Sequence, residues 1–526
     1  MINPEIKLNY NYGYKWFEKE NVLAKGLAID DSGKSYQKES LAEYFMGINN
    51  LEDLKVQLHK ITGHFAVIIK TSDLVFAVSD RGRSIPLYFR TDRGKIEISD
   101  SGFVLGDSQN LKSEFDDYSF QEYLAAGHVT QNRTLLKNVV QVGAGEIAIV
   151  NNEKVEIVEY FRFLPTSENA DSLETSAAKF VDVLDKDYKN LINVLNGRTV
   201  VIPLSAGYDS RSIASMLKRQ GYQNVICYSF GQDGSPEMLT SQKVAKTLGY
   251  RWFFIETTPE SVKDFTVSDD FLRFVEFAAN VGSFYIMQDF FAVRKMRSEK
   301  LIPDDSVFMP GHSGDTLGGS NFSELFLGEE SGVEMINKII KHRYNLNVVS
   351  GEFLKSAQQK LENQYEVKYK PAIWFDYWCM KEWNPKMFAN GVRVYEYFGY
   401  TYWLPLWGKH PLTFFANLPL EYRISKELYE STLEDRIFEP LGINFTPDRR
   451  FLLSHSVSVF QRIKNFAKQL LPKSYIYRKY RYDPISAKLY TGVMFEDMKK
   501  KGIKINYIGT NSVKAQWYIR FLENKR

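Results

Sequence analysis

The chain has 526 residues, 44% hydrophobic and 25% charged, the balance of a globular protein with two or three domains and large buried cores. A net charge of +3 argues against a nucleic-acid binder as a whole, and two cysteines, Cys227 and Cys379, make neither a disulfide framework nor a zinc site. No apolar run is long enough to span a bilayer and residues 1–7 lack a signal-peptide core, so a cytoplasmic location is the expectation.

From about Leu23 to Tyr160 the pattern is mostly β. Strands are expected over 26–29, 64–70, 74–80, 86–90 and 95–99, with turn chemistry at Ser72-Asp73 and Arg93-Gly94 between them. Residues 146–150 and 154–158 read as a hairpin closed around Asn151-Asn152. Helical patches at 40–45 and 119–125 interrupt the strands, giving an α+β, sandwich-like domain. The polar stretch 165–170 breaks both periods and marks a domain boundary. Asp171, with Glu174 three residues on, predicts a helix start. Ala177, Phe180, Val181, Leu184, Tyr188, Leu191 and Leu195 then share one face of a long helix.

Strand 199–204, helix 210–218, strand 225–230, helix 236–248 and strand 252–256 follow. That alternation predicts a parallel sheet covered by helices, with ligands at the carboxyl ends of its strands. Beyond Ser320 the chain reads as helical and rich in Trp, Tyr and Phe.

The loop after strand 199–204 is Pro203-Leu204-Ser205-Ala206-Gly207-Tyr208-Asp209-Ser210-Arg211. Its small residues let backbone approach a ligand, and the helix N-terminus behind it favours an anion. Ser205 and Ser210 add hydroxyls, and Asp209 is a magnesium-type ligand. These are the parts of a pyrophosphate-binding loop; an ordinary strand–helix turn with a serine cap is the plain alternative. It is not of the Walker type, which needs Gly-Lys-Ser/Thr. It resembles the Ser-Gly-Gly-x-Asp-Ser loop of the ATP pyrophosphatases, with Ala206 in place of the first glycine.

Two further segments resemble the asparagine synthetase family. One is Tyr228-Ser229-Phe230-Gly231-Gln232-Asp233-Gly234-Ser235-Pro236-Glu237. The other is Pro310-Gly311-His312-Ser313-Gly314-Asp315, similar to the family's Ser-Gly-Glu-Gly-x-Asp loop. The resemblance implies an ATP site of Leu204, Ser205, Ala206, Gly207, Tyr208, Asp209, Ser210, Phe230, Gly231, Pro310 and Gly311, with Phe230 packing on adenine. It also implies that Asp209 and Asp315 share Mg2+ on the β- and γ-phosphates; a turn aspartate beside glycines is the plain alternative for Asp315.

In the first half, Gly63-His64-Phe65-Ala66 and the run from Asp80 to Tyr88 resemble class II glutamine amidotransferases. Glu122-Tyr123-Leu124, Thr134-Leu135 and Gly143-Ala144-Gly145 continue the match, which reaches about Glu439. The implied fold is an α+β Ntn-hydrolase-like sandwich over 1–165. An α/β parallel-sheet ATP-pyrophosphatase domain with a helical C-terminal part follows over 166–450, and then a basic, aromatic extension over 451–526.

Departures from the family define the expected activity. Residue 2 is Ile2 where the glutaminase nucleophile would be cysteine, and no Asn-Gly-Glu segment is present, so no glutamine hydrolysis is expected. His312 replaces a glutamate and Thr316 another. His312 is a candidate to bind the substrate carboxylate or take a proton from the attacking amine; a hydrogen-bonded loop histidine is the alternative. Arg449, Arg450 and Lys464 are the candidates for the family's late lysine.

The resulting expectation is an ATP-dependent, AMP-forming ligase that joins a carboxylate to ammonia or an amine, with Asp209, Asp315 and His312 in the catalytic roles. The resemblance to the surface-polysaccharide branch, carried by the loop at 310–315, Leu404-Pro405-Leu406-Trp407 and 423–429, implies a sugar acid. The alternatives are ammonia-dependent asparagine synthesis, intramolecular amide formation as in β-lactam synthetases and lasso-peptide cyclases, and a non-catalytic ATP-binding protein. Ammonia from a separate glutaminase is one expected partner. Residues 461–482 interleave seven bases with four tyrosines and no acid, which reads as docking to anionic lipid headgroups or a polyanionic sugar chain, or as a solvated basic face; near-zero net charge disfavours nucleic acid.

Overall fold

Period-two alternation organises the first half. In the strand Ile61–Lys70, Phe65, Val67 and Ile69 pack with Leu41, Ala42, Leu54 and Leu58 of two short helices, Glu39–Tyr44 and Leu51–Lys60, and with Phe45, which follows the first. The intervening Ala66 and Ile68 point the other way, into a core with Phe89 and Ile98 of a second sheet. Both faces of this strand are therefore buried.

The computed structural model describes residues 4–92, 95–107, 111–151, 154–167, 170–322, 331–445, 483, 485–505 and 509–524. The strands of the first half are β1 (Glu5–Lys7), β2 (Trp16–Lys19), β3 (Val22–Asp30), β4 (Ser35–Gln37), β5 (Ile61–Lys70) and β6 (Val75–Ser79). They continue as β7 (Tyr88–Asp92), β8 (Lys95–Ser99), β9 (Val139–Gln141), β10 (Glu146–Val150) and β11 (Val155–Glu159). One sheet runs β11-β10-β6-β5-β3-β2, with β4 on β3; the other runs β1-β8-β7-β9. The hairpin at 146–159 forms as expected, Val150 opposite Val155. The strand expected at 86–90 begins at Tyr88, because Pro86 has no N–H to give a ladder. β1, β2, β4, β9 and the helix Leu51–Lys60 lie outside the sequence reading.

The long helix Leu173–Leu195 buries every residue assigned to its inner face. Its cap is Ser172, whose hydroxyl accepts from the Thr175 N–H, rather than Asp171; Glu174 pairs instead with Arg436. The second half then builds β12 (Val200–Pro203), β13 (Val225–Gly231), β14 (Arg251–Glu256), β15 (Val307–Phe308) and β16 (Thr401–Tyr402). Their order is β14-β13-β12-β15-β16, all parallel. The sheet thus places the ends of β12, β13 and β15 side by side, and with them the three segments that the sequence singled out.

Beyond Asn321 the described residues are mainly helical. The last two helices, Ala487–Lys500 and Thr510–Glu523, pack against each other, and Tyr518 lies 5.2 Å from Tyr123 of the first half, ring to ring. This part of the C-terminal region is a buried brace, with Met494, Val513 and Tyr518 fully enclosed. The basic run at 461–482 and the candidates Arg449, Arg450 and Lys464 lie outside the described residues. Among the described residues no helix is long and apolar enough to cross a membrane.

Candidate active site

The loop after β12 is held in shape before any ligand arrives. Gly207 caps the helix Tyr208–Arg219 with extended backbone and no side-chain cap, so the first-turn N–H groups keep their anion-binding capacity. Ser210 Oγ accepts the Ser205 N–H at 3.0 Å, and Ser205 Oγ accepts the Gly207 N–H at 3.2 Å. Arg211 is buried and donates to the carbonyls of Ala206, Ile443 and Phe445, pinning the loop to the segment behind it.

Glycines let the second loop meet the first. A Cβ on Gly311 would lie 2.7 Å from the Ser210 nitrogen, and one on Gly314 would lie 2.5 Å from Asp209 Cγ. That approach brings Asp315 to Asp209. Asp209 Oδ2 accepts the Asp315 N–H at 2.9 Å, and Oδ1 accepts the Tyr429 hydroxyl at 2.8 Å. Lys426 Nζ lies 2.8 Å from Asp315 Oδ1 and also pairs with Glu430. Burial first, and then the charge of Asp315, push the Asp209 carboxyl up to about 7. Burial works against charge on Lys426 too, but Asp315 and Glu430 more than offset it and raise its pKa.

A cleft of about 480 Å³ opens over these groups. Leu204, Ser205, Ala206, Gly207, Tyr208, Asp209, Ser210, Phe230, Pro310, Gly311, His312 and Asp315 all line it. Gly231 does not; it turns at φ +120°, and its carbonyl accepts from Thr257. His312 has an imidazole packed over Gly391, whose added Cβ would lie 2.5 Å from Nε2, and its Nδ1 has no partner. Burial lowers its pKa to about 4, so the ring is neutral at physiological pH.

The donor set suits magnesium better than a closed metal centre. Among the described residues no group of three or more His, Cys, Asp or Glu side chains is placed to hold an ion. Two convergent carboxylates are present, one of them with a raised pKa that a cation would reverse. Magnesium commonly uses one or two carboxylates and completes its shell with phosphate oxygens and water.

Glu430, Gln288 and Asp289 were not singled out by sequence, and Glu237, Lys426 and Tyr429 lie in segments that were but received no role there; all but Tyr429 line the cleft. Lys426 carries a structural signal of its own: Ser425 and Lys426 stand at φ +52° and +63°, two successive left-handed non-glycine residues beside a site.

In the first half, His64 and the Asp80 loop form a structural knot. The Leu404 N–H donates to His64 Nε2 at 2.9 Å, so Nδ1 carries the proton toward Ser84 Oγ at 2.8 Å. Asp80 accepts from the N–H groups of Phe65, Gly82 and Ser84. The amidotransferase-like segments thus bind each other and the Trp403-Leu404 segment of the second half.

Comparison with known proteins follows the same division. Residues 28–161 match the glutamine amidotransferase domain and residues 194–437 the asparagine synthase family. Over 322 residues the chain is 24% identical to the microcin J25-processing protein McjC of Escherichia coli, covering 59% of this chain and 56% of that protein. It therefore spans little more than half of that relative's length. Solved structures also match, among them a synthetase and an amidotransferase. The NH3-dependent NAD synthetase of Campylobacter jejuni is 13% identical and covers 37% of this chain and 95% of that one, with a TM-score of 0.18. The glutamine phosphoribosylpyrophosphate amidotransferase of B. subtilis is 12% identical and covers 56% and 63%, also with a TM-score of 0.18.

Proposed function

We propose that this chain, with an amidotransferase-type domain followed by an asparagine synthase domain, is an ATP-dependent amide-forming ligase of the asparagine synthetase type. One observation carries the reading: Asp209, Asp315 and Lys426 converge over the uncapped N-terminus of the helix Tyr208–Arg219, where a polyphosphate would lie. The match of residues 194–437 to the asparagine synthase family supports it.

In this reading Leu204, Phe230 and Pro310 wall the base, while Ser205, Ser210 and the loop N–H groups hold the β- and γ-phosphates. Asp209 and Asp315 would hold Mg2+, which neutralises charge on the departing pyrophosphate. Lys426 adds a fixed positive charge there. A substrate carboxylate oxygen attacks the α-phosphorus, pyrophosphate leaves, and an amine attacks the acyl carbon to give an amide and AMP. The neutral His312 ring offers a lone pair to a proton of the attacking nitrogen. Tight preorganisation of the loop supplies positioning.

The nitrogen comes as free ammonia or an amine; burial of both Cys227 and Cys379 suits neither thiol to attack glutamine. The first half is an Ntn-hydrolase-like sandwich retained as a structural cover. The carboxylate is a sugar acid, as the surface-polysaccharide resemblance implies. The second reading is an amide formed within a peptide, favoured by the similarity to a microcin-processing protein.

Pyrophosphate release from Mg–ATP with ammonium decides among these. The panel is aspartate, uronic acids free and nucleotide-linked, and peptides bearing acidic side chains. Release with one class names the substrate. Release that survives Asp209→Ala contradicts the mechanism.

A further inference from the structure

The same cleft contains a carboxylate that the reaction above leaves unused. Asp289 lines it together with Gln288 and is only 5% exposed. Its Oδ1 accepts the Tyr228 hydroxyl at 2.8 Å and the Tyr395 hydroxyl at 3.3 Å. No donor meets Oδ2 among the described residues. Asp289 precedes the helix Phe290–Ser298 but makes no side-chain cap to it. Nor does any cation among the described residues compensate it: burial dominates and pushes its carboxyl up to about 6 against the two hydroxyls.

A buried anion without a counter-ion costs stability, and a fold keeps it only when something else answers the charge. Asparagine would make the same hydrogen bonds without that cost. Tyr228 reaches Asp289 from β13 two residues before Phe230, with the two rings 6.2 Å apart, so the carboxylate lies beside the proposed base wall. A neutral donor such as the exocyclic amine of a base would satisfy a hydrogen bond but not the charge. A protonated amine satisfies both.

We propose that Asp289, assisted by Gln288, receives the attacking nitrogen as an ammonium or primary alkylammonium ion. This rests on the amide-ligase reading above. The bound ion transfers one proton to Asp289 Oδ2, and the freed lone pair attacks the acyl carbon. The C–N bond forms, the C–O bond to the adenylate breaks, and AMP leaves with the electron pair. A second proton passes from nitrogen to the His312 lone pair, and both protons go on to solvent. The tyrosine hydroxyls on Oδ1 hold the carboxylate so that Oδ2 stays available.

Two arms test the subsite on the full chain. In the first, thermal unfolding is followed with ammonium, methylammonium, tetramethylammonium or sodium chloride at equal ionic strength, with and without Mg–ATP. Ammonium and methylammonium, which carry N–H donors, should raise Tm saturably over the other two salts in the parent and not in Asp289→Asn. No such difference in the parent overturns the proposal. In the second, a carboxylate that supports pyrophosphate exchange is used. Asp289→Asn should lower kcat/KM for ammonium by about 100-fold. ATP–pyrophosphate exchange should be unchanged, as should trapping of the acyl group by hydroxylamine, which is uncharged at neutral pH. Equal loss of exchange would assign Asp289 to the fold, and a relaxed choice between ATP and GTP would assign it to the base; either overturns the proposal. If no carboxylate supports exchange in the parent, the ligase reading fails, while the salt series still decides whether an amine binds at Asp289.

Discussion

Asp209 sits under two opposing demands. The site needs it ionised to hold a cation, yet burial and the Asp315 charge raise its pKa from 3.8 to about 7. Between those values the folded state binds more protons than the unfolded chain, so stability falls as pH rises through that window. Without nucleotide or metal, Asp209→Asn should therefore melt a few degrees higher than the parent at pH 8 and about the same at pH 4. It should also abolish pyrophosphate release. Differential scanning calorimetry at the two pH values checks the first half; a variant less stable than the parent at pH 8 contradicts it. Lys426 answers the same problem from the other side. Lys426→Ala should slow pyrophosphate release on the order of 10²–10³-fold, with Lys426→Arg recovering part of the loss. An Arg variant no better than Ala in a stopped-flow assay would mean that geometry rather than charge matters there.

At the level of elements, the site depends on two loops that touch only because glycine stands where they meet. Gly311→Ala places a carbon 2.7 Å from the Ser210 nitrogen and 2.8 Å from Asp209 Cβ, atoms that the helix backbone fixes in place. Affinity for ATP should fall on the order of 10²-fold, read by calorimetric titration, with the secondary structure intact by circular dichroism. Much of this geometry was legible in the chain. The β-branched run before Pro203, the small loop residues and the apolar periodicity after Ser210 are local signals, and all three formed their elements. The resemblance paired Asp315 with Asp209, and the structure adds that Gly311 and Gly314 make the approach possible. Lys426 and Asp289 were not legible, because neither belongs to a strand–loop–helix pattern. One is placed by a left-handed kink, and the other by a packing relation to tyrosines 61 and 106 residues away. The short strands β1, β2, β4 and β9 escaped for a related reason: partners elsewhere in the chain, rather than their own sequence, stabilise such strands. Ser172 displaced Asp171 as the helix cap by one residue, a shift that spacing alone does not resolve.

The two halves behave as one body. Lys25 of β3 is 2.7 Å from Glu396 Oε1, and Arg393 is 2.5 Å from Glu396 Oε2, with all three side chains at most 2% exposed. His64 and Leu404 add a hydrogen bond across the same seam. Glu396→Ala leaves two buried cations facing each other and should cost about 3–5 kcal/mol. It should also split the thermal transition into two; one sharp transition at the parental temperature would mean that the seam contributes little. The half that matches the glutamine amidotransferase domain thus packs as a wall against the half that matches the asparagine synthase family.

In the proposed reaction a carboxylate is activated as an adenylate in the cleft between Asp209 and Phe230. A carboxylate labelled with ¹⁸O, taken from the class that releases pyrophosphate, tests it directly when incubated with Mg–ATP and ammonium. The account predicts one ¹⁸O in AMP for each amide formed and none in pyrophosphate. Label in inorganic phosphate, with ADP as the nucleotide product, would contradict it.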